Sequence, residues 1–287
     1  MLTVLFDGIA TGALLFLSSV GLSVTLGVMN FVNLAHGVFA MTGGYVAVVL
    51  LNRWGVPFLA TLPAAFAASA GLGVVVERLF YRKLYDAGAL EQVLFTTGLV
   101  FAAMAAAAFL MGSQHQIIQL PAFLAGQFHL FKGFDLGVYR LFLIVFCGCV
   151  ALALQLVLSR TRFGSRLRAA VDNATVANAL GINVGRLFAV TFAVGCGLAG
   201  LGAALGVEIL NLDPSFPLKF LVYFLIVVAA GGTGTISGPL LASLVLGICD
   251  VAGKYYVPDI GAFIIYGVMV AMLIWRPHGL FGRRAVR

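Results

Sequence analysis

The chain has 287 residues, 62% of them hydrophobic and only 9% charged, with a formal net charge of +7. A soluble domain carries about 25% charged residues, so a mean hydropathy of +1.10 leaves too little polar surface to face water and excludes a soluble globular protein. The positive excess is accounted for by orientation in a membrane and calls for no nucleic acid.

A membrane span needs about 20 apolar residues. Candidate spans run over about 4–29, 34–51, 57–77, 93–112, 138–158, 187–210, 218–236, 238–253 and 260–275. The second and eighth are short and glycine-broken, so the count is eight or nine. Residues 1–20 contain no Lys or Arg, so the positive region of a cleavable signal is missing and the first run is expected to remain as a span. The expected fold is an all-α polytopic integral membrane protein, one transmembrane domain over 1–287.

The first irregular stretch is 27–44, GVMNFVNLAHGVFAMTGG. Asn30, Asn33 and His36 fall three residues apart, which on a helix puts them on one face. Gly37, Gly43 and Gly44 flank them. Polar side chains and glycine at membrane depth are tolerated where they face protein or a water-lined cavity. Two readings stay open: a broken helix lining a solute path, or an interfacial turn whose amides satisfy the backbone. For His36 a structural hydrogen bond and solute contact are both open.

Residues 113–137 read as an amphipathic connector outside the membrane. Residues 159–186, SRTRFGSRLRAAVDNATVANALGINVGR, form the longest polar interruption, with Arg160, Arg162, Arg166, Arg168 and Arg186 against Asp172. Its second half, 173–181, reads as a short helix closed by a C-terminal glycine, offered to a partner. The run 195–206, GCGLAGLGAALG, has the small-xxx-small spacing of close helix packing. Asp213-Pro214 and Pro217 mark a turn. Residues 231–239, GGTGTISGP, cannot form a continuous helix. Thr233, Thr235 and Ser237 could satisfy the freed backbone, and the stretch reads either as a hinge beside the pathway or as a tight turn. Cys147, Cys149, Cys196 and Cys249 lie in apolar runs and read as small buried hydrophobes.

With nine spans and 159–186 inside, twelve Lys and Arg fall inside, against Arg53, Lys132, Arg140, Lys219 and Lys254 outside. The positive-inside rule then places the N-terminus outside and the C-terminus in the cytoplasm. There is no phosphate-binding loop, no paired catalytic carboxylates and no metal-ligand spacing, so neither enzymatic activity nor a bound cofactor or metal is expected. The carboxylates Asp7, Glu77, Glu208 and Asp250 sit near span ends. A glycine-rich path with few charges suits a neutral or zwitterionic solute.

Four segments carry a family resemblance: GVMNFVNLAHGVFAMTGGYVA (27–47), FGSRLRAAVDNATVANALGIN (163–183), AAGGTGTISGP (229–239) and RPHGLFGRR (276–284). In combination they resemble the permease subunits of the branched-chain amino-acid class of ABC importers. The resemblance implies an inner-membrane subunit paired with a second, related permease. Two ATP-hydrolysing subunits would bind below it and a periplasmic binding protein would deliver solute from above. It also implies that 173–181 is the coupling helix. The expected solute-pathway residues are Asn30, Asn33, His36, Gly37, Gly43, Gly44, Gly231, Gly232, Thr233, Gly234, Thr235 and Ser237. The expected coupling residues are Arg166, Arg168, Asp172, Asn173, Ala177, Leu180 and Gly181, with the arginines facing either the ATPase or membrane lipid. Ala229-Ala230 and Thr235 depart from the common pattern and leave the solute open between branched-chain amino acids and urea or short amides. An ATP-independent channel is the alternative from another class.

Overall fold

The computed structural model describes residues 1–29, 31, 33–85, 87–131, 134–232, 234–276 and 279–280, with backbone alone for 128–131 and 134–135. Six of its helices are long and apolar enough to cross a membrane: α1 (Leu2–Met29), α3 (Phe58–Val76) with its continuation to Leu84, α5 (Ala89–Met111), α6 (Val138–Arg160), α9 (Val184–Leu210) and α11 (Ser237–Tyr256). Three shorter apolar helices join them: α2 (His36–Asn52), α10 (Phe216–Gly231) and α12 (Gly261–Trp275). All nine expected spans therefore appear as apolar helices, and the chain is an all-helical multi-pass bundle. The described residues depart from this in a hairpin, β1 (Gln127–Phe131) paired antiparallel with β2 (Phe134–Gly137), with Gln127 opposite Gly137, and in a single bridge between Gln116 and Leu212. The hairpin lies in the stretch expected to be a plain connector.

Two helices form the core. Every residue of α1 from Gly12 to Ser23 is buried, as is every residue of α9 from Gly195 to Val207. Lipid contributes no hydrophobic drive between helices, so close association depends on small residues that let backbones approach. Gly21 meets the backbone of Gly195, and Gly202 meets Ser18. On the opposite face of α1, Gly8 and Gly12 pack against α11 at Ile248 and Ser243–Leu244. The 195–206 run thus serves packing within this chain.

Helix α2 is also largely buried, whereas α3 and α6 bury mainly one stripe each. On α3 this is Phe58, Leu62, Ala65, Ser69, Gly73 and Val76, which lie against α2 and α9. On α6 it is Tyr139, Leu143, Cys147 and Ala151. This period marks a helix with one face to the bundle and the rest to its surroundings. It also corrects the reading of the cysteines. Cys147 and Cys196 are buried, but Cys149 is exposed and Cys249 only half-buried. Two residues beyond an inward position lies about 200° around the helix, which turns Cys149 outward.

A π-helical turn, Glu77–Tyr81, and α4 (Arg82–Leu84) prolong α3. Between α6 and α9 stand α7 (Arg162–Asp172) and α8 (Ala174–Ala179). The short helix at 173–181 is therefore present, and α7 precedes it where no helix was expected. Gly164, Leu167 and Ala170 face inward on α7, while Arg162, Arg166 and Arg168 are exposed. We call this the basic end of the bundle.

Candidate translocation and coupling site

Asn33 and His36 do not share a continuous helix, and at Asn33 the break follows the turn reading in which an amide satisfies the backbone. Helix α1 stops at Met29 and α2 starts at His36. Asn33 Oδ1 accepts the Ala35 amide at 3.0 Å, a side chain competing with the helix for its backbone. The same oxygen accepts the Tyr81 hydroxyl at 2.9 Å. Asn30 lies outside the described residues. His36, 1% exposed, places Nε2 2.8 Å from the Ser18 carbonyl oxygen and meets Phe224 edge to face.

Gly37 and Gly43 sit where backbones touch, and Gly44 sits against side chains. A Cβ on Gly37 would lie 2.7 Å from Pro217 Cα, one on Gly43 would enter the Gly200 backbone, and one on Gly44 would meet Leu212. Ser18 Oγ and Asn33 Nδ2 are buried with no hydrogen-bond partner among the described residues.

The second break clasps the same helix nearer its end. Helix α10 ends at Gly231 and α11 begins at Ser237. Gly232 and Gly234 adopt φ of 89° and 78°, values open to glycine but strained for other residues. Among the described residues, the expected donors Thr235 and Ser237 do not satisfy the freed carbonyls. Ser23 Oγ does, lying 3.3 Å from the Gly232 oxygen and 3.4 Å from that of Thr235. The Gly234 amide donates to the Ser23 carbonyl at 3.2 Å. Thr235 Oγ1 is buried without a partner among the described residues, and Thr233 lies outside them.

The terminal motif reaches this break as well. The Leu280 amide donates to the Ala230 carbonyl at 2.8 Å, and a Cβ on Gly279 would lie 2.6 Å from the Gly232 nitrogen.

A cavity of about 560 Å³ separates the second break from the α6–α7 corner. Gly234, Thr235, Ile236 and Ser237 line one wall, Gly27 and Val28 the floor, and Leu158, Gly164, Leu167, Arg168, Val171 and Asp172 the other wall. The corner is tight. Gly164 abuts Leu158, whose carbonyl accepts from the Arg168 guanidinium, and Thr161 caps α7 by accepting the Gly164 amide at 3.4 Å.

The ALGIN run (179–183) is legible as capping chemistry. Asn173 Oδ1 accepts the Val176 amide at 3.0 Å and starts α8. At its end the Ile182 amide donates to Ala177 and that of Gly181 to Asn178, with Gly181 at φ 83°. This is the Schellman arrangement. Asn183 Oδ1 then accepts the Arg186 amide at 2.8 Å and starts α9. Ala177 is buried among Leu167, Ala170, Val184 and Leu187. Val176 and Leu180, four apart and so on one face, are 52% and 76% exposed. The sequence reading missed Val176, although its spacing from Leu180 could have revealed it. It also missed Ser18, Ser23 and Tyr81, which carry no signal until their partners are known.

The structure thus brings the second break, the α7 wall, Gly27 and the terminal motif together at the basic end of α1. His36 and Asn33 lie apart from that cavity, and α8 lies beyond it.

The chain matches the family model described as branched-chain amino acid transport system / permease component over residues 4–273. It is 29% identical over 300 residues to the high-affinity branched-chain amino acid transport system permease protein BraD of Pseudomonas aeruginosa, covering 98% of this chain and 96% of that one. It is 24% identical to the corresponding LivH of Salmonella typhimurium over 98% of this chain and 96% of that one. With the probable branched-chain amino acid transport permease protein LivH of Methanocaldococcus jannaschii it shares 27% over 94% of this chain and 89% of that one. No solved structure matches. A bundle of apolar helices whose four marked segments fall within or beside one full-length family match is a multi-pass transport permease, and the chain belongs to the family of branched-chain amino acid transport system permease components.

Proposed function

We propose that this chain is the inner-membrane permease subunit of an ATP-driven ABC importer for branched-chain amino acids, with its N-terminus outside and its C-terminus in the cytoplasm. It works without a cofactor of its own. Two ATPase subunits hydrolyse ATP, a second related permease completes the pathway, and a periplasmic binding protein delivers the solute. The relatives' names supply the solute class.

The observation that carries the reading is the path of contact from α8 to the second break. Val176 and Leu180 present an apolar pair beside exposed Arg166, a face suited to a protein groove. Movement of α8 acts through Ala177 on α7 and the start of α9, since packed interiors shift as units. Helix α7 is tied to α6 by Arg168 and borders the cavity that Gly234–Ser237 line. The second break, free to bend at its glycines, then alters the cavity. Asn33, His36 and the glycines of α2 act in this scheme by holding α2 and the break before it to α1, α9, α10 and the continuation of α3, and the unpartnered Ser18 and Asn33 groups can take new partners when the bundle rocks.

The test is to co-purify the chain with its encoded neighbours and measure ATPase activity in nanodiscs with binding protein loaded with leucine, then urea. Stimulation by the leucine-loaded protein is expected. Stimulation by urea alone would reassign the solute. Conduction by the isolated chain in vesicles, without partners, would replace the importer by a channel.

A further inference from the structure

A groove of about 370 Å³ runs between α3 and α9 at the basic end and shares no lining residue with the cavity at the α6–α7 corner. Its mouth carries Arg78, Arg82 and Arg186, all exposed, and no carboxylate lies within ion-pair distance of them among the described residues. Glu77 also borders the groove. It is 3% exposed, and its Oε1 accepts the Tyr85 hydroxyl at 3.0 Å, so one buried carboxyl stands against three exposed guanidinium groups. Above the arginines the walls turn apolar, with Val74, Val190 and Val194, and Ala70 and Ala193 leave room between the helices.

We propose that this groove holds one anionic phospholipid. Its phosphate lies among Arg78, Arg82 and Arg186, and one acyl chain runs along the α3–α9 wall. The positive-inside rule explains why arginines collect at this end, but not why three of them converge on one groove whose other end is apolar. Basic pockets between membrane helices on this side suit anionic headgroups. A free phosphate would use the arginines and leave the apolar wall empty, whereas a lipid uses both along the direction the bilayer imposes. Each guanidinium presents a planar fork matched to phosphate oxygens.

The test uses the assembled importer, extracted in mild detergent and examined by native mass spectrometry. One phosphatidylglycerol or cardiolipin per copy of this chain is expected. The triple variant R78Q/R82Q/R186Q should lose it, at about fivefold in affinity per arginine. The variant R160Q/R162Q, which removes two cations from the same end but outside the groove, should keep it. Equal retention by both variants would overturn the proposal, as would equal retention of phosphatidylethanolamine. Retention of added inorganic phosphate in place of lipid after delipidation would overturn it too. If the triple variant does not assemble, a photoreactive phenylalanine at Val194 in the otherwise native complex decides. A lipid adduct supports the site, and an adduct to a protein subunit overturns it.

Discussion

Ser23 Oγ on α1 lies 3.3 Å from the carbonyl oxygen of Gly232, joining residues 209 positions apart. The glycine break frees that carbonyl from the helix ladder, and the buried Ser23 hydroxyl supplies a donor in place of a helix amide. The hydroxyl also reaches the Thr235 oxygen. Ser23→Ala should leave both carbonyls short of a donor and lower stability by about 1–2 kcal/mol. The complex should still assemble, with a lower thermal midpoint in detergent and slower uptake of labelled leucine. Ser23→Thr, which keeps the donor, should restore much of both. Unchanged melting and uptake in Ser23→Ala would remove this contact from the account.

Gly43 and Gly71 provide a matched pair. A methyl at Gly43 would enter the Gly200 backbone, whereas one at Gly71 meets nothing within 4 Å. Gly43→Ala should separate α2 from α9 and cost about 1–3 kcal/mol, visible as poor expression and a lowered melting midpoint. Gly71→Ala should match the native protein, or gain slightly from its better helix propensity.

At the coupling helix, geometry and surface can be separated. Gly181 has φ 83° and open space around it. Gly181→Val should therefore be strained by backbone alone, while Gly181→Asn should be tolerated. Replacing the exposed pair, Val176→Ser with Leu180→Ser, should leave the fold intact. It should weaken co-purification of the ATPase subunits and reduce ATPase stimulation at least several-fold. Full coupling in that double variant would move the ATPase contact off α8.

The turn before α10 carries an acid-sensitive contact. Burial pushes the Asp213 carboxyl up, but hydrogen bonds from Lys219 and from the Ser215 hydroxyl and amide, together with the Lys219 charge, hold it below the ordinary value of 3.8. His115 Nδ1 also lies 3.2 Å from the carboxylate. A carboxyl depressed in the folded state stabilises above its unfolded pKa and loses that contribution as pH falls through the folded one. Native stability should therefore drop below about pH 4, and Asp213→Asn should show a shallower acid limb with a lower midpoint at neutral pH. Parallel melting curves against pH would exclude Asp213 as the source.

Much of the arrangement was legible from local chemistry. Apolar run length located the spans, and the capping residues Asn173, Gly181 and Asn183 bounded α8 and began α9, because these signals act within one helical turn. The spacing of Asn33 and His36 misled, because an i, i+3 pattern implies a shared face only while the backbone stays helical, and Asn33 ends that by bonding the Ala35 amide. Helix α7 was hidden among arginines whose inward partners, Leu167 and Ala170, are few.

Composition, run length and glycine placement by themselves determined that this chain spans a membrane as a helical bundle, broken near 30–36 and 232–236 with a basic helical loop at one end. Those properties depend on solvation and backbone freedom, which each residue carries with it. Only the tertiary structure decided that Ser18 and Ser23 of one helix hold both breaks, that the terminal motif closes on Gly232, and that Arg78, Arg82 and Arg186 share a groove. Such contacts join residues far apart in the chain through the packing of helices, and helix packing is set by side-chain shape along whole faces that no local motif encodes.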